Sequence, residues 1–312
     1  MAKKKKISAF FLIRLIGIVV FIFILFTINL QDTINILKET NLNWFFLALL
    51  FQLILLLTKG VRWHILNDGK NNSLRWLTSM HNFFESYTIG VFTPGRLGEF
   101  VKAGHEENKE KKAGSILRMI TERGYDIGFF MVIASVAIFA TNPIELAQFI
   151  GVTGMLAGLI IVIISFLLMK SVRASKKISK LISFLSFKKI NLDFHIQEYA
   201  VHNIILIFTL SLISNFCYFI SSYFLALSLN IEGFLAVSSA VALAGLLNLI
   251  PITIMGLGTR ELVFFSIFKN LPKPTVLGFS GLMLLVAQIG GGLISLALKY
   301  IFLLLIKFSS KD

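Results

Sequence analysis

Arg118, Glu122 and Asp126 recur at intervals of four, so a helix carries all three on one face, with Arg123 three residues ahead of Asp126. The stretch opens an apolar run. Ionisable groups inside a bilayer cost a few kcal/mol each unless paired or hydrated, so these four are expected to face a bundle interior or a water-filled cavity. Arg123 and Asp126 are the two expected deepest in the membrane. The competing expectation is a purely structural ion-pair network that locks the bundle.

Two further clusters interrupt hydrophobic segments. The first is Thr93-Pro94-Gly95-Arg96-Leu97-Gly98-Glu99, and the second runs from Pro251 to Glu261 through Gly256, Gly258 and Arg260. Each combines proline, two glycines, an arginine and a glutamate, and about half the chain separates them. Proline removes a helix hydrogen bond and glycine allows tight turns, so both helices should break. A broken helix exposes N–H groups at one new end, which attract phosphate or carboxylate. Arg96 and Arg260 could add forked donors for phosphate oxygens. Glu85, Glu99 and Glu261 could balance those cations in an empty site or recognise a positive headgroup. Alternatively, Arg96 with Glu99, and Arg260 with Glu261, are solvated charges at headgroup depth.

The elements that must position these groups are set by composition. Of 312 residues, 56% are hydrophobic and 15% charged, where a soluble domain has about a quarter charged. Several apolar runs reach the roughly 20 residues needed to span a bilayer, and they are continuous, which favours helices over a barrel. An all-α polytopic membrane protein is expected, with about six full transmembrane helices, two broken or re-entrant segments at 76–101 and 234–270, and an arrangement that fits an inverted repeat. Residues 1–312 read as one integral membrane domain.

Full spans are expected at about Ile7–Leu30, Trp44–Thr58, Ser115–Ala140, Leu146–Met169, Asn203–Leu229 and Thr275–Ile306. The first follows the basic residues 1–6 and is read as an uncleaved span, because its apolar run is too long for a signal peptide. Gln31–Asn43 reads as a short outer gap, and Lys59, Arg62, Lys70 and Arg75 as a cytoplasmic one. The positive-inside rule then puts both termini in the cytoplasm of a cell-membrane protein, and the basic loop 170–197 on the membrane surface as an amphipathic helix. By that topology the two broken segments enter from opposite faces. Trp44, Trp63 and Trp76 are expected as interfacial anchors.

The formal net charge of +14 would suit nucleic acid, but the basic residues flank apolar spans, so anionic lipid headgroups are the expected partner instead. His64, His81, His105, His195 and His202 show no metal spacing, Cys217 is the single cysteine, and neither a Walker loop nor a GxSxG elbow occurs. No metal and no cofactor are expected. Gly290-Gly291-Gly292 reads as a helix close-packing patch.

Lys59-Gly60-Val61-Arg62-Trp63, the segment from Thr93 to Glu99, Arg123 with Asp126, and the segment from Asn248 to Glu261 occur in that order over nearly the whole chain. In these motifs the sequence resembles the lysylphosphatidylglycerol synthase transmembrane-region family of flippase-like membrane proteins. The resemblance implies a membrane domain that moves a polar-headed lipid, phospholipid or polyprenyl-linked, between leaflets. It also implies that the soluble lysyltransferase domain of the bifunctional synthases is missing, with a separate lipid or glycan synthase as a candidate partner. The alternatives are an intramembrane lipid-phosphate enzyme and a non-transporting scaffold for such a synthase.

Overall fold

The computed structural model describes residues 19–67, 72–105, 109–141, 145–170, 199–249 and 256–309, and their regular structure is entirely helical. The elements are α1 (Val19–Thr27), α2 (Leu30–Lys38), α3 (Leu42–Asn67), α4 (Ser73–Val91), a 3-10 segment (Pro94–Phe100) and α5 (Val101–Gly104). They continue through α6 (Lys109–Thr141), α7 (Glu145–Lys170), α8 (Val201–Leu227), α9 (Phe234–Leu249), α10 (Thr259–Ile267), α11 (Lys273–Met283), a π-helical turn (Leu284–Gly290) and α12 (Gly291–Ser309). Residues 1–18, the basic segment 171–198, and Pro251 lie outside the described residues.

The chain is an all-α polytopic membrane protein. Four helical stretches are long and apolar enough to cross a bilayer, namely α3, most of α7, α8 and the continuous Lys273–Ser309, and α1 with α2 makes a fifth if the bent pair is one span. The six expected spans include α6, which at 33 residues is long enough but carries the four charges of the Arg118–Asp126 face.

Two boundaries differ from expectation. Gln31–Asn43 is largely helix rather than a gap: after an 85° bend, Asn29 accepts a hydrogen bond from the Gln31 N–H at 3.0 Å and starts α2. Helix α3 runs nine residues past Thr58, carrying Lys59 and Arg62 into the protein instead of a cytoplasmic gap. The physical reason is that both cations find carboxylates on α6, described below. Trp63, expected at the interface, is 1% exposed for the same reason.

Bundle packing follows small residues and short polar contacts. On α6, a Cβ at Gly128 would stand 2.6 Å from Val162 and 2.9 Å from the Gly158 carbonyl of α7, so this pair of helices meets through backbone, as small-residue interfaces in membranes do. Ser221 of α8 donates to the Ala48 carbonyl of α3 at 2.8 Å, and Ser295 of α12 to the Phe84 carbonyl of α4 at 3.1 Å. The close-packing role of the triglycine is visible at Gly291, where a Cβ would meet Gln52 at 2.7 Å.

Candidate functional site

The first interruption is built by backbone economy. After α4 ends, Thr93 donates its hydroxyl to the Gly90 carbonyl at 2.9 Å and accepts the Gly98 N–H at 2.7 Å, closing a tight turn. Gly98 lies against Ile89, where a Cβ would come within 2.7 Å of the carbonyl oxygen, and Gly90 leaves room for the Glu99 side chain. The 3-10 segment therefore packs back on the last turns of α4. Pro94 and Gly95 begin it. Arg96, at its turn, has φ of 54°, a left-handed conformation that costs a bulky residue about 1 kcal/mol or more.

Behind that turn lies a buried ion-pair chain joining α3, α5 and α6. Arg62, fully buried, donates to Asp126 at 3.0 Å, to Glu122 at 2.9 Å and to Ser211 at 3.0 Å. Lys59 pairs with Asp126 at 2.9 Å, and Lys102 with Glu122 at 2.6 Å. The Lys102 ammonium also sits 4.1 Å from the centre of the Trp63 ring, a cation–π contact. One helical turn away, Arg123 holds Glu99 at 2.5 Å, while Arg96 reaches the same carboxylate only at 3.7 Å and lies over the Tyr87 ring.

These groups open onto a polar cavity of about 80 Å³. Its charged wall is Lys59, Arg96, Arg123 and Asp126. Its uncharged polar wall includes Gln52, Asn215, Asn248 and Gln288, the last carried inward by the π-helical turn, a feature common at functional sites. Gly256, from the second interruption, completes it. At φ of 74° it lies so close to Asn248 that a Cβ would sit 2.1 Å from the amide oxygen. Two amide oxygens of this wall, Gln52 Oε1 and Asn248 Oδ1, are buried with no hydrogen-bond partner among the described residues.

Residues from both interruptions thus line one cavity, but not all the expected residues join them. Arg96, Arg123, Asp126, Asn248 and Gly256 face it, with Glu99 and Glu122 one contact behind. Arg123 and Asp126 are not each other's ion pair, since each has a different partner. Arg118 turns to Ser115 at 2.8 Å and to the Tyr199 phenol. Glu85 pairs instead with Lys299 at 2.7 Å and His105 at 3.1 Å, fastening α4 to α12.

The second interruption departs further from expectation. The N–H end of α10 is not open to a ligand: Glu261 caps it, accepting from the Gly258 N–H at 2.6 Å. Arg260 donates to Glu261 at 2.8 Å and to Ser280 at 2.7 Å, and Ser280 donates to Glu261 in turn. Arg260 and Glu261 are 4% and 1% exposed, so they are neither solvated headgroup-level charges nor cavity residues but a closed lock between α10 and α11.

Sequence reasoning missed Lys59, Arg62 and Lys102 as members of the network. The signal was present, because Lys59 and Arg62 are three apart directly after an apolar run, and the Arg118–Asp126 face needed cations from somewhere. Gln52, Asn215 and Gln288 carried no signal beyond being polar in apolar helices.

Residues 14–305 match the family described as the lysylphosphatidylglycerol synthase TM region. No curated protein matches the chain.

Proposed function

The chain belongs to the lysylphosphatidylglycerol synthase TM-region family, membrane proteins of lipid metabolism or translocation, and from that premise we propose that it moves a polar-headed lipid between the leaflets of the cell membrane. The observation that carries the reading is the meeting of two helix interruptions, through Arg96 and through Asn248 with Gly256, at one polar cavity inside an apolar bundle. A headgroup enters that cavity while the hydrocarbon chains stay in the bilayer. Irregular backbone at membrane depth is tolerated only where it is buried in protein or lines such a cavity, and paired interruptions are the usual mark of a translocation site.

Both termini face the cytoplasm in this reading, and the basic segments lie against anionic headgroups. A separate lipid or glycan synthase makes the molecule that is moved. The test is leaflet exchange of labelled lipids in proteoliposomes, comparing the wild-type chain with Arg96→Ala and Arg123→Ala. Exchange that depends on the protein and falls in both variants supports the proposal. No exchange across a panel of phospholipids and polyprenyl phosphates refutes it, and chemically altered lipid by mass spectrometry would replace it with an enzyme.

A further inference from the structure

Around the cavity the described residues place five cations, Lys59, Arg62, Arg96, Lys102 and Arg123, against three carboxylates, Glu99, Glu122 and Asp126. The imbalance is two positive charges in a mostly buried cluster. Each carboxylate is already held by a close cation: Glu99 by Arg123, Glu122 by Arg62 and Lys102, and Asp126 by Arg62 and Lys59. The cations on the cavity wall are not equally satisfied. Arg96 makes no side-chain hydrogen bond among the described residues, and its carboxylate partner is 3.7 Å away. It is also the residue held in a left-handed backbone, so strain is spent on presenting a guanidinium that the protein itself leaves under-paired.

A surplus of buried positive charge is costly unless an anion arrives to share it. An ammonium group entering the same space would meet no uncommitted carboxylate among the described residues and would add to the imbalance. Arginine's fork matches the paired oxygens of a phosphate, and lysine supplies a point charge beside it.

A second cavity, of about 240 Å³, has one lining residue in common with the first, Asn215. Apart from Asn215 and Ser238 its wall is apolar, with Phe129 and Ile133 from α6, Leu212 and Phe216 from α8, and Leu235 from α9. Phe216 and Leu235 are 60% and 56% exposed on the outer face of the bundle, the surface that meets bilayer hydrocarbon. A polar, cationic chamber and an apolar groove thus share Asn215 as a wall. In a membrane lipid the phosphate is the charged group nearest the hydrocarbon, so the two cavities follow the order of groups along such a molecule.

We propose that the ligand of this site is a lipid of net negative charge, its phosphate held by Lys59, Arg96 and Arg123 and one hydrocarbon chain lying in the groove beyond Asn215. This rests on reading the cavity as a lipid-headgroup site, and it narrows that reading to anionic phosphate lipids over aminoacylated cationic ones. The unpartnered amide oxygens of Gln52 and Asn248 accept hydrogen bonds from hydroxyls of the headgroup or from water.

Binding to the purified full chain in phosphatidylcholine nanodiscs tests this with four probes: phosphatidic acid, lysylphosphatidylglycerol, diacylglycerol and inorganic phosphate. Phosphatidic acid is expected to bind about tenfold or more tightly than the lysyl lipid, because like charges brought together in the cavity are penalised. It should exceed inorganic phosphate by about a hundredfold, through the burial of its chain. Arg96→Gln should lower phosphatidic acid affinity about tenfold, and Leu235→Trp, which fills the groove from its lipid-facing side, should weaken the lipid and leave inorganic phosphate unchanged.

A lysyl lipid that binds as tightly as phosphatidic acid overturns the proposal, and so does diacylglycerol binding equal to that of phosphatidic acid. Inorganic phosphate binding as tightly as the lipid would make this a phosphate site without a chain subsite and also overturns it. The wild-type ranking needs no variant to fold. Leaflet exchange measured on the same lipids keeps the two readings apart: selective binding of the anionic lipid without exchange upholds this proposal and defeats translocation, whereas exchange of the cationic lipid alone does the reverse.

Discussion

Arg62→Met is the substitution whose cost the geometry fixes most closely. The guanidinium is wholly buried and bridges two carboxylates, Glu122 at 2.9 Å and Asp126 at 3.0 Å. Removing one partner of a buried pair costs about 3–5 kcal/mol, because a charge is left in a medium that cannot solvate it. Here each carboxylate keeps a lysine, Lys102 at 2.6 Å and Lys59 at 2.9 Å, so the loss falls at the lower end, about 3 kcal/mol. That is roughly a hundredfold in the folded-to-unfolded ratio, or about 6–12 °C of melting temperature for a chain of this size. Lys59→Met touches the same Asp126 but leaves it bonded to Arg62, and its side chain is 14% exposed. It should cost less than Arg62→Met, about 1.5 kcal/mol, the low end for one hydrogen bond between charged groups. Arg62→Met and Asp126→Asn remove the two ends of one buried contact, so their costs should be non-additive by about 1–2 kcal/mol. Unfolding in detergent or bilayer, followed for the two single variants, the Asp126→Asn variant and the double, measures all of these. If Arg62→Met costs no more than Lys59→Met, or the cycle shows no coupling, the network does not hold the bundle and the structural reasoning fails.

Arg96→Gly relieves a left-handed backbone and should hold or raise stability by up to about 1 kcal/mol while lowering lipid exchange; a melting curve beside a proteoliposome assay checks both, and loss of stability with exchange intact would contradict it. Gly128→Ala should destabilise by about 1–3 kcal/mol, because its Cβ meets Val162 and the Gly158 carbonyl, whereas Gly281→Ala, with nothing within 4 Å, should be neutral or gain about 0.4–1 kcal/mol. The pair is compared by thermal unfolding in one detergent. Glu261→Ala strips the cap from α10 and strands buried Arg260, so it should cost about 3 kcal/mol or more, while phosphatidic acid affinity changes little in the variant that still folds at low temperature.

The sequence made the helical class, the long apolar helices and both interruptions legible, because bilayer thickness sets helix length and proline with glycine marks a break. It made legible which residues around α6 share a face, since helical periodicity does not depend on tertiary context. Pairing was not legible. Arg123 and Asp126 look like partners at a spacing of three, yet each is taken by a group from another helix, Glu99 and Arg62. The end of α3 was misplaced for the same reason: Lys59 and Arg62 read as a cytoplasmic flank when judged by charge alone, and only the carboxylates of a helix some 60 residues later make their burial affordable. Glu261 shows the converse, since a glutamate three residues after Gly258 is a capping position, a signal that lay in the sequence and went unused.

The two layers of charge separate structure from function in a way that the sequence could not. Deep in the bundle, Arg62 and Lys102 are paired closely with Glu122 and Asp126, with the Arg62 Nε left without a hydrogen-bond partner among the described residues, and cations so neutralised by their own chain have little charge left to offer a ligand. At the cavity wall the balance reverses, for Arg96 shares a distant, already committed Glu99 and Lys59 shares Asp126 with Arg62. The deep layer fixes where the wall cations stand, so its substitutions should act first on stability and only through it on lipid handling. On the wall, Arg96 carries the least compensated positive charge, so neutralising it should relieve repulsion and remove ligand affinity together. That opposite coupling, stability held or gained where binding is lost, belongs to a site built for an anion and not to a lock.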